Sequence, residues 1–292
     1  MNYREISKIR YKTMQPVFLQ LNEKHIPYAV IKGEPLSMMA YGEFGQRKSN
    51  DIDILIPRRY IAKAQEILSQ HDFEEKNSNR VNQVIALSST HQALPYKKMI
   101  DGVNVEIDLN HDIFWGEYTG KHADIESFLS DVQEMSVYGY KVKTLTSAKA
   151  MTQLVLHHYN ELNSIYHLSM DYPISTSLFR DVYFLWKNNI CGINQQLLEI
   201  SKNLNIDLFV YYVLFYTSMI FEDTLLTEYT EKFKTQEGMD LLDCYGLTNN
   251  ERKKWKINFF ERLDKKNVFH SIKEDLTKEE FDKLYRAHAI FD

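Results

Sequence analysis

The stretch Arg47-Lys48-Ser49-Asn50-Asp51-Ile52-Asp53-Ile54-Leu55-Ile56-Pro57 constrains this chain more than any other. Ile52 to Ile56 are all apolar apart from Asp53, mostly β-branched, and Pro57 closes the run, which predicts a short buried strand. Side chains at i and i+2 leave a strand on the same face, so Asp51 and Asp53 point together, roughly 6–7 Å apart. Two aligned carboxylates beside apolar neighbours are costly unless a positive charge lies between them. A divalent metal meets that need, since Mg²⁺ takes one or two carboxylates together with phosphate oxygens, which a nucleoside triphosphate would supply. An Asp-x-Asp at a strand edge more often caps a turn or faces solvent. The flanking sequence therefore decides.

Upstream, Tyr28-Ala29-Val30-Ile31 predicts another short strand, Lys32-Gly33 a turn, and Pro35 to Tyr41 a helix, followed by a loop over Gly42 to Gln46. Downstream, Val103-Asn104-Val105-Glu106-Ile107-Asp108-Leu109-Asn110 is the clearest alternation in the chain. Its odd positions face one way and Asn104, Glu106, Asp108 and Asn110 the other. A solvated antiparallel face would read the same way. Beside an Asp-x-Asp strand, however, that polar face offers a further acid, and alternation alone leaves Glu106 and Asp108 equal.

Lys32-Gly33, a short helix, Arg47-x-Ser49-x-Asp51-x-Asp53 and a later acid-bearing strand together resemble the bacterial family of uncharacterised nucleotidyltransferases, within the DNA polymerase beta-like superfamily. The likeness spans about residues 25–112 and continues more loosely beyond. It implies an α/β (α+β) nucleotidyltransferase core with a mixed sheet, followed by an all-helical C-terminal domain. It also implies Mg²⁺- (or Mn²⁺-) dependent transfer of an NMP from an NTP to an acceptor hydroxyl, releasing pyrophosphate by a two-metal mechanism. Asp51, Asp53 and Asp108 become the metal ligands and catalytic acids. Asp108 is preferred because the family places an acid shortly before a polar position and an aromatic, as Phe114-Trp115 follow here, and because three aspartates reach equally far. Glu106 then orients a water or a ligand from behind. Lys32, Gly33, Arg47 and Ser49 become nucleotide contacts, through charge, hydroxyl and the N–H groups of a helix start. One departure stands out: many superfamily members carry Gly-Ser or Gly-Gly at the turn, and this chain has Lys32-Gly33-Glu34.

Composition limits the alternatives. The chain has 292 residues, enough for two domains, expected at 1–145 and 146–292 with the active cleft between them. With 35 basic and 40 acidic residues, it is mildly acidic, which argues against an extended nucleic-acid surface and favours a small-molecule acceptor over a protein or RNA end. Cys191 and Cys244 lack metal-site spacing and suggest a reducing compartment. No signal peptide or membrane span is expected, so a cytoplasmic location is expected. There is no Gly-x-x-x-x-Gly-Lys-Ser/Thr loop. The competing class is a non-catalytic nucleotide-binding or interaction protein that keeps the fold.

The remaining elements are expected as a helix over 3–24 kinked or broken at Pro16, a helix over 58–70 and a turn over 74–82. Strands over 84–87 and 93–99 are expected to pair, with a last strand over 137–142. Helices follow near 147–160, 175–188, 192–204, 206–221, 249–264 and 277–287. His157 and His158 sit inside one of them, about 100° apart around its axis, and are not expected to share a metal. Lys48 is expected at the surface, and the aromatic residues beyond 157 are expected in a core.

Overall fold

Seven strands form one mixed sheet: β1 (Ala29–Ile31), β2 (Asp51–Leu55), β3 (Glu74–Glu75), β4 (Tyr96–Ile100), β5 (Val103–Asn110), β6 (Gln133–Val137) and β7 (Tyr140–Thr144). Their order across the sheet is β3-β4-β5-β2-β1-β7-β6. Among the described residues of this sheet, β2 with β5 and β1 with β7 run parallel and the other neighbours antiparallel. The computed structural model describes residues 1–76, 80–116, 119–170, 172–263 and 265–291. It divides into one unit of Met1–Ala150 with Lys187–Ile193 and another of Met151–Trp186 with Asn194–Asp292.

The first unit buries one face of this sheet. Ile52 and Ile54 of β2 and Val103, Val105, Ile107 and Leu109 of β5 pack with Met14, Val17, Phe18 and Leu21 of α1 (Tyr3–Glu23). Helices α2 (Gly33–Tyr41) and α3 (Ile61–Gln70) follow, and Ile61, Ala64, Ile67 and Leu68 of α3 join the same core. Because side chains alternate along a strand, burying the isoleucines of β2 sends Asp51 and Asp53 to the opposite face.

A buried carboxylate ties the unit together at the start of α2. Glu34 is 1 % exposed. It accepts bonds from Ser7 Oγ of α1 at 2.6 Å, from the Gly45 N–H at 2.7 Å and from the Tyr138 hydroxyl at 3.0 Å. This acid, in the Lys32-Gly33-Glu34 turn, therefore faces inward and anchors three segments.

Several expectations are corrected. Helix α1 runs unbroken through Pro16, which is exposed; the proline frees only the carbonyl of Lys12, also exposed, to water. The apolar residues at 84–87 lie in α4 (Arg80–Ser89), not in a strand, and β4 pairs with β3 and β5 instead. A four-residue apolar run fits a helix as well as a strand, and packing decides. The turn expected over 74–82 is a short strand at 74–75 and the start of α4 from Arg80, with residues 77–79 outside the described part. The single strand expected at 137–142 is a hairpin: Tyr138 (φ 53°) and Gly139 (φ 91°) make the two-residue turn between β6 and β7.

After α5 (Ile125–Phe128), α6 (Ser147–Asn163) carries the chain from the first unit into the second. There follow α7 (Ile165–Ser169), α8 (Thr176–Asn188), α9 (Ile190–Leu204), α10 (Asp207–Phe221), α11 (Thr224–Thr230) and α12 (Gln236–Leu241). The helix expected at 249–264 reduces to α13 (Phe259–Arg262), started by an Asn258–Glu261 capping box. Before it, β8 (Cys244–Tyr245) and β9 (Lys253–Lys254) pair as a small ladder, and α14 (Lys278–Phe291) ends the chain. Aromatic rings fill this unit's core, with Tyr216 stacked on Phe259 at 3.6 Å between centroids and Tyr159 against Phe209 at 4.4 Å. Among the described residues, no helix is long and apolar enough to cross a membrane.

The Glu34 anchor yields a stability prediction. Glu34→Ala leaves one buried donor (Ser7) and two half-buried donors (Gly45 and Tyr138) without their acceptor and should cost about 2–3 kcal/mol in urea denaturation, whereas Tyr138→Phe, which removes one donor, should cost about 1 kcal/mol. A loss below about 1 kcal/mol for Glu34→Ala would show that Glu34 does not anchor the fold.

Candidate active site

The parallel register of β2 and β5 sets Asp51 opposite Glu106 and Asp53 opposite Asp108. Neighbouring strands lie about 4.8 Å apart, so the expected acids share one patch of the polar sheet face. Asp53, 5 % exposed, lies at its centre. Lys32 Nζ sits 3.1 Å from Asp53 Oδ1, and Asn110 Nδ2 donates to the same oxygen at 3.2 Å. Both contacts fall on Oδ1. Burial raises the Asp53 pKa above the usual carboxylate range, and the charges of Lys32 and Arg47 work against that rise while Asp51 adds to it.

Asp108 is the most frustrated of the acids. Burial, then the negative charges of Asp53 and Asp51, push it up to about 8, with Lys32 opposing. Its Oδ1 is buried without a hydrogen-bond partner. A buried carboxylate oxygen without a partner, among other carboxylates, is costly to the protein on its own. Asp51 accepts a short bond from the Ser49 hydroxyl. Glu106 turns to other partners, accepting from Asn104 Nδ2 at 3.3 Å and lying 4.0 Å from Lys76 Nζ.

The turn after β1 holds Lys32 in a costly conformation. Its φ of 60° and ψ of −152° belong to a region that side chains other than glycine rarely enter. Gly33 follows at φ 50°, where a side chain would also be strained. Together these residues turn the chain sharply into α2, whose first N–H groups have no carbonyl of their own helix to bind.

The Arg47–Ser49 segment is fixed from α1. The Tyr3 hydroxyl donates to the Arg47 carbonyl at 3.1 Å and accepts from the Ser49 N–H at 2.9 Å. The Arg10 guanidinium, 8 % exposed, donates to the Ser49 carbonyl at 2.6 Å and to the Asn104 carbonyl at 3.3 Å. Ser37 Oγ of α2 accepts from the Arg47 N–H at 3.3 Å. Lys48 is exposed, as expected.

The structure thus brings Lys32, Asp51, Asp53, Asp108 and Ser49 together, keeps Arg47 close enough to influence Asp53, and sets Glu106 at the margin. Sequence reasoning did not assign Asn110, Tyr3 or Arg10 to the site. Asn110 was accessible, since alternation along β5 puts it on the acidic face. Nothing local marks Tyr3 or Arg10, whose partners lie tens of residues away. A surface depression lined by Pro57, Arg58, His111, Asp112 and His122 lies beyond the C-terminal ends of β2 and β5, away from the acids. Asp124 and Glu126 line it too, and both have other partners: Asp124 caps the start of α5 and Glu126 pairs with Arg59.

A family model described as "Uncharacterised nucleotidyltransferase" matches residues 11–222. Among solved structures, the solution structure of the antibiotic-resistance factor ANT(2'')-Ia is similar at 11 % identity and a TM-score of 0.40, over 70 % of this chain and 94 % of that one. A crystal structure of ANT(2'')-Ia in complex with adenylyl-2''-tobramycin matches at 10 % identity and a TM-score of 0.36, over 61 % and 88 %. An antigenic nucleotidyltransferase-like protein from Paracoccidioides brasiliensis matches at 15 % identity and a TM-score of 0.35, over 68 % and 92 %. No curated protein matches the chain.

The state of Asp108 sets a testable pH dependence in metal-free protein. Its folded pKa of about 8 lies above the ordinary unfolded value of about 4, so the folded state holds the proton more tightly. The ionised carboxylate then costs stability progressively as pH rises from about 4 to 8, and the full cost is present above 8. Asp108→Asn removes that cost. In EDTA, the variant should match wild type near pH 4 and exceed it by up to on the order of 5 kcal/mol near pH 8 and above, read by denaturant unfolding. Equal stabilities at both pH values would contradict this reading.

Proposed function

The chain belongs to the uncharacterised nucleotidyltransferase family, and from that premise we propose that it moves a nucleoside monophosphate from an NTP to the hydroxyl of a small-molecule acceptor. Pyrophosphate leaves, and the reaction depends on Mg²⁺ or Mn²⁺. The observation that carries this reading is the pairing of Asp53 with Asp108 in register, with the Asp108 Oδ1 buried and unpaired.

Asp51, Asp53 and Asp108 would hold the cation, and their donor set of hard carboxylate oxygens suits Mg²⁺ or Mn²⁺. When bound there, the metal supplies positive charge that activates an acceptor hydroxyl and offsets charge on the phosphates. The chain's own residues do the rest. Lys32 keeps the Asp53 carboxylate compensated and presents its ammonium at the turn before α2, within reach of a triphosphate. Arg47 offers a fork of donors suited to phosphate oxygens. The Ser49 hydroxyl orients Asp51, and Asn110 fixes Asp53, so that the acids keep one geometry. Glu106, bound to Asn104 and Lys76, supports the rim. The N–H groups after Gly33 offer an uncharged hold on the phosphate chain.

The mildly acidic composition, 35 basic against 40 acidic residues, favours a small acceptor over a long nucleic acid. One contact favours the second reading, a nucleotide-binding protein without transfer: the Lys32 ammonium already occupies part of the acidic patch. A screen of the four NTPs for pyrophosphate release, with and without Mg²⁺ and with panels of hydroxyl-bearing small molecules, separates the two. Metal-dependent NTP binding without release would favour the second.

Asp51→Asn and Asp53→Asn should each lower transfer by about 10³-fold, equivalent to on the order of 4 kcal/mol of transition-state stabilisation, with circular dichroism unchanged. Asp108→Ala should abolish transfer and Glu106→Ala only slow it. A dead Glu106→Ala beside an active Asp108→Ala would reverse their roles. In calorimetry, Lys32→Ala or Arg47→Ala should weaken NTP binding by about 1.5–3 kcal/mol, the loss of one charge-assisted contact. Tight binding unaffected by either change and by EDTA would point to a different pocket.

A further inference from the structure

The second unit carries a cluster that the nucleotidyl-transfer reading does not use. His157, His158 and Glu161 lie on α6 and offer one ligand atom each, all within 4.8 Å of one another. Adjacent residues on a helix diverge by about 100°, which separates the two histidines when they are considered as a pair. Glu161 bridges that divergence. It lies four residues beyond His157 and three beyond His158, so with about 3.6 residues per turn it sits above the seam between them. His157 Nε2 is 3.3 Å from Glu161 Oε1, and His158 Nδ1 is 2.9 Å from Glu161 Oε2.

We propose that His157, His158 and Glu161 form a binding site for a divalent cation of the Zn²⁺ class, separate from the carboxylate patch on the sheet. Two imidazole nitrogens and one carboxylate oxygen are a donor set that favours Zn²⁺, Co²⁺ or Ni²⁺ over Mg²⁺, which prefers oxygen alone. Ligand atoms bound to zinc at about 2.0–2.1 Å lie roughly 3.3 Å apart across a tetrahedral edge; each imidazole nitrogen is near that spacing from one oxygen of Glu161, His157 from Oε1 and His158 from Oε2, so a small closing movement brings all three donors onto one ion. An ion pair needs one imidazole per carboxylate. The second imidazole in the same small sphere is the donor that completes a triad. His158, 1 % exposed, supplies a dry inner wall, while His157 and Glu161 are partly exposed and leave an entry path. Three protein ligands leave the remaining positions to water.

The test uses the full chain, stripped with EDTA and returned to buffer containing excess Mg²⁺ so that the acidic patch is supplied. Co²⁺ is titrated with visible absorption as the readout, and Zn²⁺ is then added in competition and followed by calorimetry. Wild type should develop d–d bands that saturate at one equivalent and that Zn²⁺ displaces. His157→Ala and Glu161→Gln should each weaken binding by about 100-fold or more. Glu161→Gln keeps the volume and hydrogen-bonding capacity of the side chain, so it carries the test if the alanine variant fails to fold by circular dichroism. Asp51→Asn should bind as wild type does. Absence of the bands in wild type, their persistence in a folded Glu161→Gln variant, or their loss in Asp51→Asn would each overturn the proposal.

Discussion

Everything at the acidic patch depends on one register, that of β2 against β5. The period of a strand is two, so a slip by one residue would set Asp53 opposite Ile107 or Leu109 and bring apolar side chains to the acidic face. What forbids the slip lies on the other face of the sheet. Ile52 and Ile54 beside Ile107 and Leu109 are all within 3 % of complete burial against α1 and α3. Each such side chain contributes roughly 1.5–3 kcal/mol on burial, so a slip would forfeit several at once. The hydrophobic core thus specifies which carboxylates meet, although no core side chain touches them.

That core is also the floor on which strain and charge are held. A lysine at φ 60° and a run of like charges on adjacent strands are both unfavourable locally. They persist because segments distant in sequence over-determine the positions. Tyr3 and Arg10 of α1 bind the backbone before β2, and Glu34 binds α1, the loop before β2 and the β6–β7 turn. The first helix is therefore part of the site's scaffold, not a separate N-terminal appendage. Its buried polar residues work through the backbone of the segment that bears Ser49 and leads into Asp51.

How much of this was legible follows the range of the interactions. Asp51 and Asp53 announce themselves within five residues, and the polar face of β5 within eight, because strand alternation is a local rule. Asn110 belonged to the same pattern and needed only the parallel pairing to be connected with Asp53. Tyr3, Arg10 and Glu34 act through contacts to residues that the chain alone does not bring near. Where local patterns misled, they were short: the apolar residues at 84–87 suit either helix or strand, and the stretch from 249 lacks the continuous apolar stripe that a long helix would bury. The 100° between His157 and His158 is a rule about two residues, whereas their shared neighbour Glu161 becomes visible only at positions three and four further on.

Charge balance gives the acidic patch its sense. Asp51, Asp53 and Asp108 face two nearby cations, Lys32 and Arg47, and with all three acids ionised the patch is one charge short of neutral. The protein on its own reduces that deficit by favouring the protonated form of Asp108. On the proposed reaction, a nucleoside triphosphate brings about four negative charges, which the patch would repel, and two divalent ions bring four positive charges, which it would attract. Either alone leaves a large uncompensated charge in a partly desolvated site, and together they return it to its starting balance. On that reaction metal and nucleotide should bind with strong mutual dependence, and Lys32 would be the group that exchanges partners: Asp53, which it holds in the structure, for a phosphate oxygen.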